Sequence, residues 1–238
     1  MEFRARLLAT LRAIEPVLRV PGVLVVGSEV PNLLEPNAAS TLVVSQDVDI
    51  GVPVLAHEAV KRALREVRNL APSPAEPSVW LSEDPALIEV NFLGMDATKV
   101  DPADTYVLED ATLPLLVFGP LSLARAAEPV EIDGLRIPLP RVAGLLLEKL
   151  ITDRTAEKGD RDLLVALALM LLARPADLQE LEREFATLTN ELRHAVLSNL
   201  TVLSLLAVRR GMPDPRPHRK LVADLLAKLE ALPLGDEP

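Results

Sequence analysis

Apolar positions recur at helical spacing at both ends of the chain and at strand spacing in between. Phe3, Leu7, Leu11, Ile14 and Leu18 lie on one stripe of a 3.6-residue repeat, which predicts an amphipathic helix over residues 2–19 stopping near Pro21-Gly22. The unbroken apolar run 23–26 ends in Gly27-Ser28, the pattern of a buried strand that turns sharply, and residues 29–39 form the candidate helix after it. Residues 41–50 are β-branched and apolar until Asp47 and Asp49, predicting a second strand. A helix follows over 57–68, with Val60, Leu64 and Val67 on one side and Lys61, Arg62, Arg65 and Arg68 on the other. The proline-rich stretch 71–77 reads as a loop. Strands are expected at 78–81 and 87–93, short apolar pieces at 113–118 and a helix at 121–127. Asp133-Gly134 between alternating runs predicts a two-residue type I′ hairpin over 130–137, ended by Pro138 and Pro140.

From Arg141 onward the period is helical, with helices predicted at 142–153, 160–173, 177–187, 191–209 and 218–232. The expected fold class is α+β, a mixed β-sheet with flanking helices over residues 1–138 followed by a helical bundle over 139–238.

The candidate chemistry sits on the strands. Side chains two apart on a strand share a face, so Asp47 and Asp49 point together while Val48 and Ile50 face the core. Two adjacent carboxylates repel unless a cation lies between them, and hard oxygen ligands suit Mg²⁺ or Mn²⁺. Gly27 lets a backbone approach a ligand closely, and the N–H groups of the turn after it attract phosphate. In strand 87–93 the alternation places Leu87, Glu89, Asn91 and Leu93 on one face, so Glu89 or Asn91 reaches the aspartates if the two strands are neighbours. Glu29 follows Ser28 directly, an awkward place for a negative charge beside phosphate; it turns outward or it weakens the pocket. Lys149 follows Leu145 and Leu146 at helical spacing and projects from the apolar side of its helix. It meets an anion such as a phosphate, reaches past the leucines to water, or pairs with Asp162. Asp160 and Asp162 also suit a helix start as ordinary capping residues. His57 reads as a surface residue, because no second histidine or cysteine stands at metal spacing.

An apolar strand ending in Gly27-Ser28, a short helix, and a second strand carrying Asp47-x-Asp49 resembles the nucleotidyltransferase superfamily related to DNA polymerase β. A second stretch is similar to the segment after the catalytic domain in minimal nucleotidyltransferases of the abortive-infection toxin type. It comprises residues 137–141, Leu146-Leu147-Glu148-Lys149-Leu150, Arg154, Lys158 and Asp160-Arg161-Asp162-Leu163-Leu164. The resemblance covers residues 20–172 in patches. It implies transfer of a nucleoside monophosphate from an NTP to a hydroxyl, with Asp47, Asp49 and Glu89 as catalytic metal ligands for Mg²⁺ or Mn²⁺. Gly27, Ser28 and Lys149 would hold the NTP phosphates. Some relatives carry the third carboxylate where this chain has Asn91. The acceptor implied is an RNA end or a protein side chain, with a cationic small molecule of the aminoglycoside kind as an alternative. A catalytically inactive member that binds a partner protein, such as a cognate antitoxin, is the rival reading, and an unrelated α/β protein the third.

Composition narrows these readings. The chain has 238 residues and 49% hydrophobic ones, enough for a sizeable core and too apolar for disorder. The apolar run 163–173 is short for a bilayer, and the N-terminus lacks the apolar core of a secretory signal, so a cytoplasmic location is expected. A net charge of -10 opposes broad nucleic-acid binding, where counterion release rewards positive surface. Two basic clusters, residues 61–68 and Arg209, Arg210, Arg216, Arg219 and Lys220, read more readily as solvated faces than as docking patches. One Trp, one Tyr and four Phe are too few for a base-stacking platform.

Overall fold

The computed structural model describes residues 3–35, 42–45, 47–152 and 156–233, with the backbone alone at 156–159. The chain forms two compact units, Met1–Pro140 and Arg141–Pro238. The fold is α+β, a mixed sheet with helices followed in sequence by a helical unit.

The first unit opens with α1 (Phe3–Ala13) and α2 (Glu15–Leu18). The stripe expected over 2–19 is thus two helices, because Pro16 near the start of α2 has no N–H to continue the first. Leu7, Leu11, Ile14 and Val17 are all fully buried. Strand β1 (Leu24–Val25) leads into α3 (Val30–Leu34), and β2 (Asp47–Pro53) follows. The helix expected over 29–39 is described only as far as α3 and Glu35; residues 36–41 and Gln46 lie outside the described residues. Leu42 to Ser45, despite their strand-like composition, are not a strand. Asn32 instead takes their backbone: its Oδ1 accepts from the Leu42 and Val43 amides at 2.8 and 3.1 Å, and its Nδ2 donates to the Val43 carbonyl at 2.5 Å.

Helix α4 (His57–Leu64) and the strands β3 (Ala71–Pro72), β4 (Val79–Leu81) and β5 (Glu89–Met95) come next. The strands β6 (Tyr106–Leu108) and β7 (Leu115–Val117) precede a 3₁₀ turn, Gly119–Leu123, where an α-helix is expected from the sequence. Pro120 in that turn removes a backbone donor. Strands β8 (Val130–Ile132) and β9 (Leu135–Ile137) form the hairpin; Asp133 and Gly134 both have positive φ, at 50° and 76°, as a type I′ turn requires.

The sheet runs β1-β2-β5, with the N-terminal half of β5 paired to β4 and its C-terminal half to β7. The β2–β5 and β5–β7 pairs are parallel and the others antiparallel. Val48, Ile50, Val52, Val90 and Phe92 are buried, with Trp80 edge-on to Phe92 at 6.1 Å. Helix α1 fixes the start of β5: Thr10 Oγ1 accepts the Ile88 amide at 2.8 Å, and Arg6 donates to the Leu87 carbonyl at 2.9 Å. Those contacts lie directly before Glu89.

The second unit is helical: α5 (Val142–Ile151), α6 (Ala156–Leu172), α7 (Pro175–Thr187), α8 (Asn190–Leu205) and α9 (Arg219–Glu230). Helix α5 touches α6, α7 and α8, which is why every residue from Ala143 to Ile151 is buried. Helix α6 starts a turn before Asp160, so the aspartates there are not its caps. Among the described residues no helix is long and apolar enough to cross a membrane.

Candidate functional site

The parallel register of β2 and β5 sets Asp47 opposite Glu89 and Asp49 opposite Asn91. Register partners share a face, so the four polar side chains project from one side of the sheet. Asn91 Nδ2 lies between the aspartates, donating to Asp47 Oδ2 at 3.0 Å and to Asp49 Oδ1 at 3.2 Å. One amide nitrogen thus does in part what a cation would do, bridging two like charges. Asn91 Oδ1 is buried and has no hydrogen-bond partner. A half-turn of the amide would add that oxygen to the two carboxylates as a third hard donor.

The bend after β1 lies against the same pair. Val26 donates its amide to the Asp49 carbonyl at 2.9 Å, which brings Gly27 alongside Asp49. Glu29 turns inward rather than outward and is completely buried. Its Oε1 accepts the Asp49 amide at 3.0 Å, while Oε2 is buried without a hydrogen-bond partner. Both carboxylates gather on the bare α-carbon of Gly27: a Cβ there would stand 2.6 Å from Asp49 Oδ2 and 2.8 Å from Glu29 Oε1, and closer still to Glu29 Oε2. Burial first, then the charge of Asp49, raises the Glu29 pKa well above the carboxylate range; the amides of Glu29 and Asp49 oppose the shift. Ser28 Oγ donates to Ser45 Oγ at 2.9 Å, and Ser45 Oγ to Asp47 Oδ1 at 2.7 Å, so the bend reaches Asp47 through a hydroxyl chain.

Glu89 is exposed, and partial burial with the nearby charge of Asp47 raises its pKa. Among the described residues, the three histidines or acids with ligand atoms all within 4.8 Å of one another are not these but His57, Glu58 and Asp110. There Lys61 already supplies the positive charge, at 2.9 Å from Glu58 and 2.7 Å from Asp110, and holds the Asp110 carboxyl far below its usual range. His57 is buried and its Nε2 meets the Leu113 carbonyl at 2.8 Å, so it is not the surface residue its sequence context suggests.

Lys149 is buried in α5 with its Nζ 3.0 Å from Glu148 Oε2, not stretched to water. Asp160 pairs with Arg209. Arg154, and the side chain of Lys158, lie outside the described residues. The basic clusters are partly spent on neighbours: Lys61 on Glu58 and Asp110, Arg216 on Asp214, Lys220 on Asp224.

Sequence reasoning missed Ser45 and the inward turn of Glu29. The signal for Glu29 is that it is the lone charge within the apolar run from residue 23 to 34, where an ionisable group is either solvated or held for a purpose.

The geometry defines a class, an α+β protein whose parallel strand pair carries an acidic cluster beside a glycine bend. No family model matches the chain, and no curated protein matches it. Among solved structures the chain is similar to a crystal structure of an antigenic nucleotidyltransferase-like protein from Paracoccidioides brasiliensis. The likeness has a TM-score of 0.44 and 16% identity over 94% of this chain and 95% of that one.

Proposed function

We propose that the first unit is the core of a divalent-cation-dependent nucleotidyltransferase, moving a nucleoside monophosphate from an NTP to a hydroxyl acceptor. The observation that carries this reading is the shared amide of Asn91: Asp47 Oδ2 and Asp49 Oδ1 already converge on one donor, at 3.0 and 3.2 Å. The donor set is all oxygen and acidic, which fits Mg²⁺ or Mn²⁺, and the orphaned Asn91 Oδ1 is a further donor awaiting a partner. Such an ion, when bound, lowers the pKa of a hydroxyl and takes up charge on leaving pyrophosphate. Asp47 and Asp49 would hold it, and Glu89, opposite Asp47 on β5 but not converged with the two aspartates, would join the set only by turning its exposed side chain toward them. Ser28 and Ser45 fix the orientation of Asp47 through their hydroxyl chain. The acceptor class stays an RNA end, a protein side chain or a cationic small molecule, and the net charge of -10 weighs against an extended nucleic-acid track.

Glu29 favours a second reading. A carboxyl seated at Gly27 lies where a triphosphate would rest on the bend, as in a nucleotidyltransferase-like chain that binds a partner protein, for instance of the antitoxin kind, and has given up catalysis. Incubation with each α-labelled NTP, Mg²⁺ and an RNA or protein extract separates the two. Label that appears and is lost in Asp49→Ala supports the enzyme; no label with any of the four nucleotides supports the binding module.

A further inference from the structure

The two oxygens of Asp49 face different neighbours. Oδ1 takes the Asn91 amide on the Asp47 side, whereas Oδ2 stands at Gly27 beside Glu29. The acidic cluster therefore has two compartments, with Asp49 common to both.

We propose that the Gly27 compartment is itself a cation seat in which Glu29 and Asp49 Oδ2 hold a divalent ion, making Glu29 a metal ligand that no strand motif announces. This inference rests on the reading that Asp47 and Asp49 bind a divalent cation, and it changes what the bend is for. Three observations carry it. The Glu29 side chain is completely buried, and its Oε2 has no hydrogen-bond partner although it points into the compartment. The charges that act on it, Asp49 first and then Asp47, are both carboxylates. Gly27 leaves its α-carbon bare at the place where both carboxylates pack, so the two acids approach from the same side with no methyl between them. Two carboxylates pressed together away from water call for positive charge between them, either a proton or a metal ion. Phosphate is the wrong guest for such a seat unless an ion arrives first. The half-buried Asp49 links the buried Glu29 to the accessible side of the sheet, which gives an ion its route in.

Glu29→Gln separates the ion from the proton. The glutamine keeps the oxygen that accepts the Asp49 amide and imitates the protonated acid, so the bend stays folded while one anionic ligand is lost. Mn²⁺ titration of the full chain, with free Mn²⁺ read by electron paramagnetic resonance, gives the affinity; circular dichroism checks the fold. The expected result is at least a tenfold weaker Mn²⁺ affinity, or the loss of one of two binding steps, in Glu29→Gln. The control Glu131→Gln, at the exposed middle residue of β8, leaves both unchanged. Equal or tighter binding in Glu29→Gln, with binding lost in Asp47→Asn, overturns the Glu29 seat and leaves the Asp47 side standing. No Mn²⁺ binding by the unaltered chain overturns both.

Discussion

Gly27→Ala is the perturbation that reads the crowding at the bend most directly. The φ of Gly27 is not in the left-handed region, so the backbone itself tolerates alanine, and the whole effect comes from what the methyl meets. That methyl would stand 2.6 Å from Asp49 Oδ2 and 2.8 Å from Glu29 Oε1, with Glu29 Oε2 nearer still. Overpacking of this kind costs about 1–3 kcal/mol. If Glu29 swings away to relieve it, the Asp49 amide loses its acceptor at 3.0 Å, and a stranded buried donor costs about 1–3 kcal/mol. The chain takes the cheaper of the two routes, so the cost in the otherwise unaltered chain is about 1–3 kcal/mol. In a Glu29→Ala background the clash with two of the three oxygens is gone, and the one that remains belongs to the half-exposed Asp49. Alanine at 27 then costs less than about 1 kcal/mol; the reduced entropy of the unfolded chain, about 0.4–1 kcal/mol, is common to both backgrounds and cancels from the comparison.

Urea unfolding of the four chains of this cycle measures the coupling. Trp80 is the lone tryptophan and lies 8% exposed in β4, so its fluorescence reports the sheet unit. A coupling of about 1–2 kcal/mol with unchanged m-values is the expected result. If Gly27→Ala costs the same in both backgrounds to within about 0.5 kcal/mol, Glu29 does not fill the bend, and the second reading of function and the cation seat lose their foundation together.

Two further expectations are simpler to check. Asn32→Ala removes three hydrogen bonds to Leu42 and Val43 and leaves buried backbone groups unpaired, so it lowers stability by about 2–4 kcal/mol; a loss under about 1 kcal/mol in the same urea assay refutes the splint. The pH dependence of stability follows from Glu29, whose carboxyl is held well above the range of a free glutamate by its burial and then by the charge of Asp49. The folded state therefore holds a proton that the unfolded chain releases, and stability contributed by this group is full below about 4.5 and declines as pH rises through the folded pKa, by ~1.4 kcal/mol per pH unit at most. With divalent ions chelated, Glu29→Gln flattens that decline, and parallel profiles for the two chains refute it.

The strand pair was legible in the sequence because a two-residue period determines which side chains share a face: Asp47, Asp49, Glu89 and Asn91 follow from alternation once β2 and β5 are neighbours. That the two strands are neighbours is not local: the start of β5 is tied to α1 by Thr10 and Arg6, contacts some 80 residues apart in sequence that no local pattern encodes. Residues 42–45 mislead for a related reason, since their β-branched composition suits a strand but Asn32 occupies the edge that a strand would have used. Glu29 was the hardest to read. A glutamate after a glycine turn is ordinarily solvated, and only the Asp49 amide and the bare face of Gly27 together make an interior place for it.

Asp49 joins these features, and its four polar atoms go to four different places. Its amide goes to Glu29, its carbonyl to Val26, Oδ1 to Asn91 and Oδ2 to the Gly27 face. Two of the four belong to the backbone, so Asp49→Ala deletes the charge while the bend stays tethered to β2 by the Val26 amide and the Glu29 carboxyl. It also takes one carboxylate away from Glu29, which eases the charge burden on the buried acid. A drop in label transfer in that variant therefore reports lost chemistry rather than a lost fold, provided that Trp80 unfolds at no lower urea concentration than in the parent chain.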